Sequence, residues 1–441
     1  MAFKYPAARR ANVIDDYHGT RVADPYRWLE DPQSEETRAF VQAQNEITLP
    51  YLAALPERPA LRDRTETLWD VPRTGAPTVR NRVAVWAHND GLQDQPVFLV
   101  RRAGEEDRIL LDPNMLSEDG AVAVVSTSLS NDGRWLAYSV AEAGSDWQTI
   151  RIRDTETGDD LPDGLEYVKF TAPSWHADGF FYSRFPAQDP SSTEPSRNQA
   201  VYFHRLGDRQ DQDVPVFANP DNPDLGYQAT VSDDARFLVL TEWEGTSHKN
   251  GLLYRPVDDM SGEWIRLASP GRALFGFLAH HNGAFLIHTD LEAPNGRIVR
   301  LPLDQPDALL DVVGERHQAI ELATAAAGRL ITVTLNEASH RLQTYDLEGS
   351  PTGRIELPGA GTVAELTGRL QDDALYFSFQ SFLHPPTALG WDGSAVAVFA
   401  GAPPPLDPGR VTIERRHVVS TDGAEVGMFV VRLATTVLPA P

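Results

Sequence analysis

The 441 residues include 63 acidic and 39 basic side chains, which gives a formal net charge of -24, and no cysteine. Binding of nucleic-acid phosphates requires a basic surface, so we expect no nucleic-acid partner, and the missing cysteine excludes disulfides and thiolate chemistry. The first ten residues lack the apolar stretch of a signal peptide, and no run approaches the roughly 18 apolar residues of a membrane span. We therefore expect a cytoplasmic protein that contacts no membrane.

The first 71 residues have the pattern of a helical segment. Asp31-Pro32 resembles an N-cap with proline at the first helical position, and Pro50 suggests the end of this helix. Its apolar face is formed by Phe40, Ala43 and Ile47. A second helix is predicted over Leu61–Leu68. Because this apolar face belongs to no repeat, it is interpreted as a cover for a partner domain, the alternative being a simple N-terminal cap.

From about residue 75 to 405 one unit recurs, in which polar turn residues precede a strand of aliphatic and aromatic side chains. The seven copies are spaced about 45 to 56 residues apart, which is the period of a four-stranded propeller blade. They begin at Asn81, Asn131, Ala177, Asp233, His281, Ala327 and Asp372.

This repeat predicts a seven-bladed β-propeller over residues 72–408. A single four-stranded sheet cannot bury both of its faces, whereas a ring packs each sheet against two neighbours. Stacked sandwiches are the alternative, but they rarely repeat one signature so evenly. The predicted fold class is therefore all-β, with a short helical segment before the ring.

After the prolines at 403–405 the pattern changes to a β-hairpin. Two strands are predicted over Val411–Ser420 and Gly427–Leu433, joined by a turn that contains Asp422-Gly423. A lone hairpin is marginal in water and leaves an unpaired edge. We therefore expect residues 409–441 to begin a domain whose sheet continues beyond Pro441.

Several ordered motifs resemble the prolyl oligopeptidase family of serine peptidases, from about residue 5 to residue 433. Asp24-Pro25-Tyr26-Arg27-Trp28-Leu29-Glu30-Asp31-Pro32 resembles the opening of these proteins. The motifs Gly144-Ser145-Asp146-Trp147 and Val168-Lys169-Phe170 resemble segments of their propeller. Ser420-Thr421-Asp422-Gly423 resembles their return into the hydrolase domain.

The resemblance implies an α/β-hydrolase domain built from both chain ends, with the propeller inserted between them. In the family, a Ser-Asp-His triad cleaves short peptides after proline, and the propeller restricts entry. The present sequence contains no Gly-x-Ser-x-Gly nucleophile elbow, and its nearest string, Gly245-Thr246-Ser247-His248-Lys249, lacks the second glycine. We therefore expect an incomplete hydrolase domain, no catalytic residue in this truncated chain and no cofactor.

The same resemblance implies five substrate-binding positions. Phe170 corresponds to a pocket-lining phenylalanine, the alternative being a core aromatic. Asp146 corresponds to an aspartate that orients a substrate-binding arginine of the hydrolase domain, the alternative being a turn aspartate. Gly226, Trp243 and Thr246 fall where relatives line the pocket from the next blade, and blade packing is the alternative for these three residues.

No metal site is expected. His280, His281 and His288 are interpreted as residues of a solvated turn, because adjacent strand residues point to opposite faces and no carboxylate completes a tight spacing. The acidic run 208–213 lacks the glycine and closing glutamate of a calcium loop.

The sequence therefore predicts a prolyl oligopeptidase-type polypeptide that is inactive by itself and monomeric. Once completed by a hydrolase domain, it is expected to bind and cleave short proline-containing peptides. A stand-alone propeller that binds peptides or proteins is the alternative from another functional class.

Overall fold

The computed structural model describes residues 4–32, 34–188, 195–306 and 308–436. The chain divides into two compact units, residues 1–70 and residues 71–441.

The first unit contains a short hairpin and two helices: β1 Ile14–Tyr17, β2 Thr20–Ala23, α1 Glu35–Ala53 and α2 Arg58–Trp69. Helix α1 begins later than predicted because Ser34 is its N-cap, its side chain accepting a hydrogen bond from the Thr37 backbone N–H at 3.2 Å. The predicted end at Pro50 was wrong, since Pro50 lies inside the last turn. In the described residues, neither helix is long and apolar enough to cross a membrane.

The second unit contains seven antiparallel sheets, followed by a hairpin. Blade 1 consists of β3 Arg73–Thr74, β4 Thr78–Arg80, β5 Val83–Asn89, β6 Val97–Arg102 and β7 Arg108–Leu111; blade 2 of β8 Val122–Leu129, β9 Trp135–Glu142, β10 Gln148–Asp154 and β11 Asp160–Val168. Blade 3 consists of β12 Ser174–His176, β13 Gly179–Arg184, β14 Ala200–Arg205 and β15 Val214–Phe217; blade 4 of β16 Leu225–Val231, β17 Phe237–Glu244, β18 Gly251–Pro256 and β19 Ile265–Ala268.

Blade 5 consists of β20 Phe275–His281, β21 Ala284–Thr289, β22 Arg297–Pro302 and β23 Leu310–Val313; blade 6 of β24 Ile320–Ala326, β25 Arg329–Asn336, β26 Ser339–Tyr345 and β27 Pro351–Ile355. Blade 7 consists of β28 Gly361–Thr367, β29 Leu375–Ser381, β30 Thr387–Trp391 and β31 Val396–Ala400, and the hairpin of β32 Val411–Val419 and β33 Glu425–Leu433. The predicted seven-bladed propeller and the C-terminal hairpin are thereby confirmed.

Each of the seven repeated motifs forms the turn into the second strand of its blade. Several of these turns need a left-handed backbone, as at Asn81 (φ 44°), Asn282 (φ 48°) and Gly328 (φ 66°), which suits tight hairpins. Each second strand that follows contains a run of buried residues, which in β21 covers all six. Burial of both faces explains why these strands are apolar rather than alternating.

The hydrophobic core lies between neighbouring blades. Phe237, Tyr254 and Phe285 meet between blades 4 and 5 with ring centroids 4.9 to 5.7 Å apart. Phe377 and Trp391 belong to a cluster shared by blades 6 and 7. Each blade is therefore stabilised by its neighbours rather than by a core of its own.

The first and last blades meet through loops and side chains. The Thr74 backbone N–H donates to the Pro386 carbonyl at 2.8 Å, and the Thr367 hydroxyl donates to the Pro77 carbonyl at 2.6 Å. The Phe399 ring of blade 7 contacts the Trp86 ring of blade 1 at a centroid distance of 5.2 Å. In the described chain no strand ladder crosses this junction.

The hairpin contacts one end of the ring, which we call the hairpin face. Arg415 pairs with Glu337, in the turn before β26, at 2.6 Å, and Phe429 meets Phe382, which follows β29, at a centroid distance of 5.4 Å. Because strands alternate in direction, the connections between the second and third strands and between consecutive blades lie on this face. The opposite end, with the repeated turns, is called the far face.

Candidate functional site

Phe170 lies on the hairpin face, in the connection between blades 2 and 3. Its side chain is 55% exposed, and its backbone has φ 54°, while nearby Tyr167 has φ 60°. A left-handed backbone is rare for aromatic residues and is retained only where the surroundings enforce it. The fold therefore holds this ring in solvent at a conformational cost, which is not the packing expected of a core aromatic.

The Trp243 ring provides the neighbouring aromatic surface. Its centroid is 6.0 Å from that of Phe170, and the two planes are nearly perpendicular at 85°. Trp243 pairs with Gly226 across β16 and β17. A Cβ atom added to Gly226 would lie 2.0 Å from Cζ2 of Trp243, so only glycine leaves room for the indole in this position. The indole of Trp243 thus packs directly against the backbone of Gly226.

Asp146 lies in the exposed loop between β9 and β10. Burial lowers the pKa of Lys169, and the Asp146 carboxylate opposes this shift, so the two side chains interact. The Lys169 ammonium lies 3.8 Å from the centroid of the Trp147 ring and donates to the Ser196 hydroxyl at 3.1 Å. These contacts link the Asp146 loop to the segment that presents Phe170.

Thr246 lies three residues after Trp243, in the connection between β17 and β18. It is exposed in the turn after β17, and in the described residues it makes no hydrogen bond with Phe170, Asp146, Gly226 or Trp243. The structure therefore brings together Phe170, Trp243 and Gly226, and attaches Asp146 to the same segment through Lys169.

Sequence reasoning missed the residues that hold this segment in place. Gln199 is 2% exposed; its amide donates to the Lys169 carbonyl at 2.9 Å and accepts from the Tyr227 N–H at 2.6 Å. It ties the segment before Phe170 to the innermost strand of blade 4. Trp147 and Lys169 belong to the Gly-Ser-Asp-Trp and Val-Lys-Phe motifs, so a local signal for them exists in the sequence. No local pattern indicates the role of Gln199.

At the far face, polar side chains cross the ring from blade 7 to blade 4. The Arg369 guanidinium donates to the Asn131 side chain at 2.5 Å and lies 3.6 Å from the Asp233 carboxylate. Arg80 lies 3.8 Å from Asp372. Burial raises the pKa of Asp233, and burial together with the nearby Arg369 charge lowers the pKa of Arg80 to about 10. This end of the ring is bridged by charged groups.

The described residues do not assemble a serine-protease triad. Ser381 and His384 share one hydrogen bond of 2.9 Å, but the Ser381 hydroxyl also accepts from the backbone N–H groups of Leu383 and His384. No carboxylate pairs with His384 in the described chain. This is the geometry of a local turn, not of an activated nucleophile.

The expectation of a solvated turn was wrong for two of the three histidines. His280 lies in β20 with a 4% exposed side chain and bonds to Asp234 at 2.6 Å, and His288 is buried in β21. Burial lowers the pKa of His288. Within the described ranges, no three ligating side chains are grouped so that they could hold a metal ion.

Residues 5–394 match the family model described as the N-terminal β-propeller domain of prolyl oligopeptidase. The chain belongs to the prolyl oligopeptidase family. It is 31% identical over 434 residues to a prolyl endopeptidase of Elizabethkingia meningoseptica, with 97% of this chain and 61% of that protein covered. It is also 32% identical to a prolyl oligopeptidase of Omphalotus olearius, with 94% and 61% covered.

Solved structures of the family share this fold. One from a study of two prolyl endopeptidases is 35% identical, with a TM-score of 0.77 over 98% of this chain and 64% of that chain. Prolyl oligopeptidase B of Galerina marginata, bound to a 25mer macrocyclization substrate, superimposes with a TM-score of 0.88 at 24% identity, covering 98% and 66%. The present chain thus spans about 61% of the length of the curated relatives named above.

Proposed function

We propose that this polypeptide is the propeller-bearing part of a serine endopeptidase that cleaves short peptides after proline. The observation that carries this proposal is the family match over residues 5–394. The relatives named above are called prolyl endopeptidase and prolyl oligopeptidase. The 441 residues contain no Gly-x-Ser-x-Gly elbow, so we propose that they do not cleave peptides unaided.

We further propose that the hairpin face is the substrate side of the ring. The exposed Phe170 ring and the Trp243 indole would contact a peptide side chain. Gly226 would leave the space that the indole occupies. Asp146 would orient a charged group of the hydrolase domain. Thr246, exposed in the connection after β17, would contact the peptide from the same blade as Trp243.

The charged bridge at the far face supports this orientation. The contacts of Arg369 and Asp233 span opposite blades, whereas the hairpin face carries the exposed aromatic rings. A peptide drawn to apolar surface therefore has its contacts at the hairpin face. The hairpin and the helical unit, whose apolar side chains are exposed, would pack against the hydrolase domain. A monomeric state, a cytoplasmic location and the lack of nucleic-acid binding stay predictions.

Turnover of a chromogenic Gly-Pro substrate tests the catalytic part of the proposal. The purified 441-residue chain should show none. Activity that is blocked by a serine-directed inhibitor and persists after further purification would contradict the assignment.

A fusion tests the substrate side. The chain is joined after Leu433 to the hydrolase portion of the Elizabethkingia meningoseptica relative, and turnover of the same substrate is expected to appear. Phe170→Ala should then lower kcat/KM about tenfold, the loss of one well-placed ring contact. Ile109→Ala is the control, since this side chain is 58% exposed on the outer edge of blade 1. Equal losses in both variants would rule out the assigned role of Phe170.

A further inference from the structure

A small polar cavity lies between blades 5 and 6, away from the aromatic surface at Phe170. Its volume is about 200 Å³. The rest of this blade interface is apolar, with Leu286 and Ile298 of blade 5 against Leu330 and Tyr345 of blade 6. Neighbouring blades normally fill such space with hydrophobic side chains, so a polar gap at this position requires an explanation.

Strand register places the polar groups of blade 6 in two rows on the face that meets blade 5. One row joins Thr332, Gln343 and Arg354, and the next joins Thr334 and Arg341. Residues opposite one another on adjacent strands project from the same face, so both rows point into the cavity. The connection from blade 5 adds Arg316 on the other side.

Three guanidinium groups therefore surround this space without a carboxylate in its lining. In the described residues, Arg316, Arg341 and Arg354 make no ion pair, although the whole chain has a net charge of -24. Arg316 stacks on Tyr345 with its guanidinium carbon 5.4 Å from the ring centroid. With the Asn336 amide oxygen turned toward Arg341, it accepts from Nη2 at 2.9 Å. Arg316, Arg341 and Arg354 are all exposed, so an anion can reach these groups from solvent.

Thr332 supplies an independent observation. It is 1% exposed, it lines the cavity, and its hydroxyl has no hydrogen-bond partner. A buried hydroxyl without a partner is costly and rare, and it points to a ligand or solvent molecule in the adjoining space.

We propose that this cavity, the blade 5–6 pocket, binds a tetrahedral oxyanion such as phosphate or sulfate. Arginine presents planar, paired N–H donors that match phosphate oxygens, and three such groups concentrate positive charge where an otherwise acidic protein would repel anions. The Thr332 hydroxyl donates a further hydrogen bond to the anion. The volume admits one phosphate group, either the free ion or the phosphomonoester end of a small molecule. The inference does not depend on the proposed peptidase function.

Calorimetric titration of the full 441-residue chain with inorganic phosphate, at an ionic strength fixed with chloride, tests the proposal. Saturable binding with a stoichiometry of one is expected. Arg341→Gln and Arg354→Gln should each weaken it about tenfold or more, because each removes a charge-assisted hydrogen bond. Thr332→Val, which keeps the shape of the side chain, should weaken it to a smaller extent.

Arg329→Gln is the matched control, because this exposed arginine lies at the other end of β25 and is remote from the cavity. Its phosphate affinity should equal that of the unaltered chain, and thermal unfolding without phosphate shows that each variant is folded. Equal weakening by Arg329→Gln, or no binding beyond that of chloride, would overturn the proposal. Titration with glycerol 3-phosphate distinguishes the two sources of the phosphate group. Binding of glycerol 3-phosphate indicates that the pocket accepts a phosphomonoester, whereas binding of inorganic phosphate alone indicates that it accepts only the free ion.

Discussion

The propeller ring and its flanks, defined as residues 4–70 and the hairpin β32–β33, differ in where their apolar side chains lie. In the ring, all six residues of the second strand β21 are buried. In the flanks, α2 buries no residue, and Leu61 and Trp69 are 65% and 62% exposed. Val419 of the hairpin is 75% exposed.

This contrast separates local from tertiary stabilisation. The flanks have well-formed helices and strands because capping, turn residues and register act locally, as in the Ser34 cap of α1. The ring adds burial between blades, which is the larger contribution to stability. Loss of a side chain should therefore have very different consequences in the two regions.

The largest expected effect is a cavity in the core of the ring. Phe285→Ala removes a fully buried ring between blades 4 and 5 and should lower the free energy of unfolding by about 3 to 5 kcal/mol. Leu61→Ala in α2 should change it by no more than about 0.5 kcal/mol. Denaturant unfolding followed by circular dichroism measures both, and similar losses would refute the contrast.

A buried charge cluster between blades 2 and 3 gives the next largest effect. His204 is fully buried between Asp213, at 2.7 Å, and Asp163, at 3.2 Å, and Tyr182 donates to the other Asp213 oxygen at 2.5 Å. His204→Gln should cost about 3 kcal/mol near pH 6, since it leaves two carboxylates without a cation. His317→Gln, an exposed histidine, serves as the control.

The pH dependence of the His204 effect has a definite sign. Burial by itself would lower the pKa of His204, but hydrogen bonds and attraction from Asp213 and Asp163 outweigh it and raise the pKa. The stabilisation is therefore full below the unfolded pKa, about 6.5, and is lost as pH rises through the folded value. Unfolding measured from pH 5.5 to 9 should show the variant approaching the unaltered chain. A constant difference would contradict this linkage.

A smaller effect is expected within the aromatic surface. Gly226→Ala must displace the Trp243 indole, and we expect a loss of about 1 to 3 kcal/mol together with altered tryptophan fluorescence. Gly164→Ala provides the comparison, because a Cβ at Gly164 meets nothing within 4 Å. Unchanged fluorescence in Gly226→Ala would contradict the prediction that the substitution displaces the indole.

The smallest change in ring stability should follow removal of the flanks. Limited trypsin digestion analysed by mass spectrometry should cut first near Arg62 in α2 and near Arg416 in the hairpin, leaving a core close to residues 72–408. The free energy of unfolding of that core should differ from that of the whole chain by less than about 1 kcal/mol. Equal resistance of the ring and the flanks to trypsin would contradict the contrast between the two regions.

Much of the fold was predictable from the sequence because its signals are local. Each repeated turn, such as Asn131-Asp132-Gly133, joins the first and second strands of its blade in a hairpin, and Asp422-Gly423 joins the strands of the terminal hairpin in the same way. The end of α1 was misjudged because Pro50 lies inside the helix: its missing N–H removes one hydrogen bond of the last turn, yet the helix continues to Ala53. Of the candidate site, Phe170 and Trp243 were predicted through motif resemblance.

The sequence by itself determined the seven repeats, the hairpin and the absence of a nucleophile elbow, since these depend on residues adjacent in the chain. Only the tertiary structure decided which distant residues meet: Arg369 with Asp233 across the ring, Gln199 with Tyr227, and the three arginines of the blade 5–6 pocket. The physical reason is that a repeat specifies each blade, whereas closure of the ring sets the register between blades, and no local pattern encodes that register.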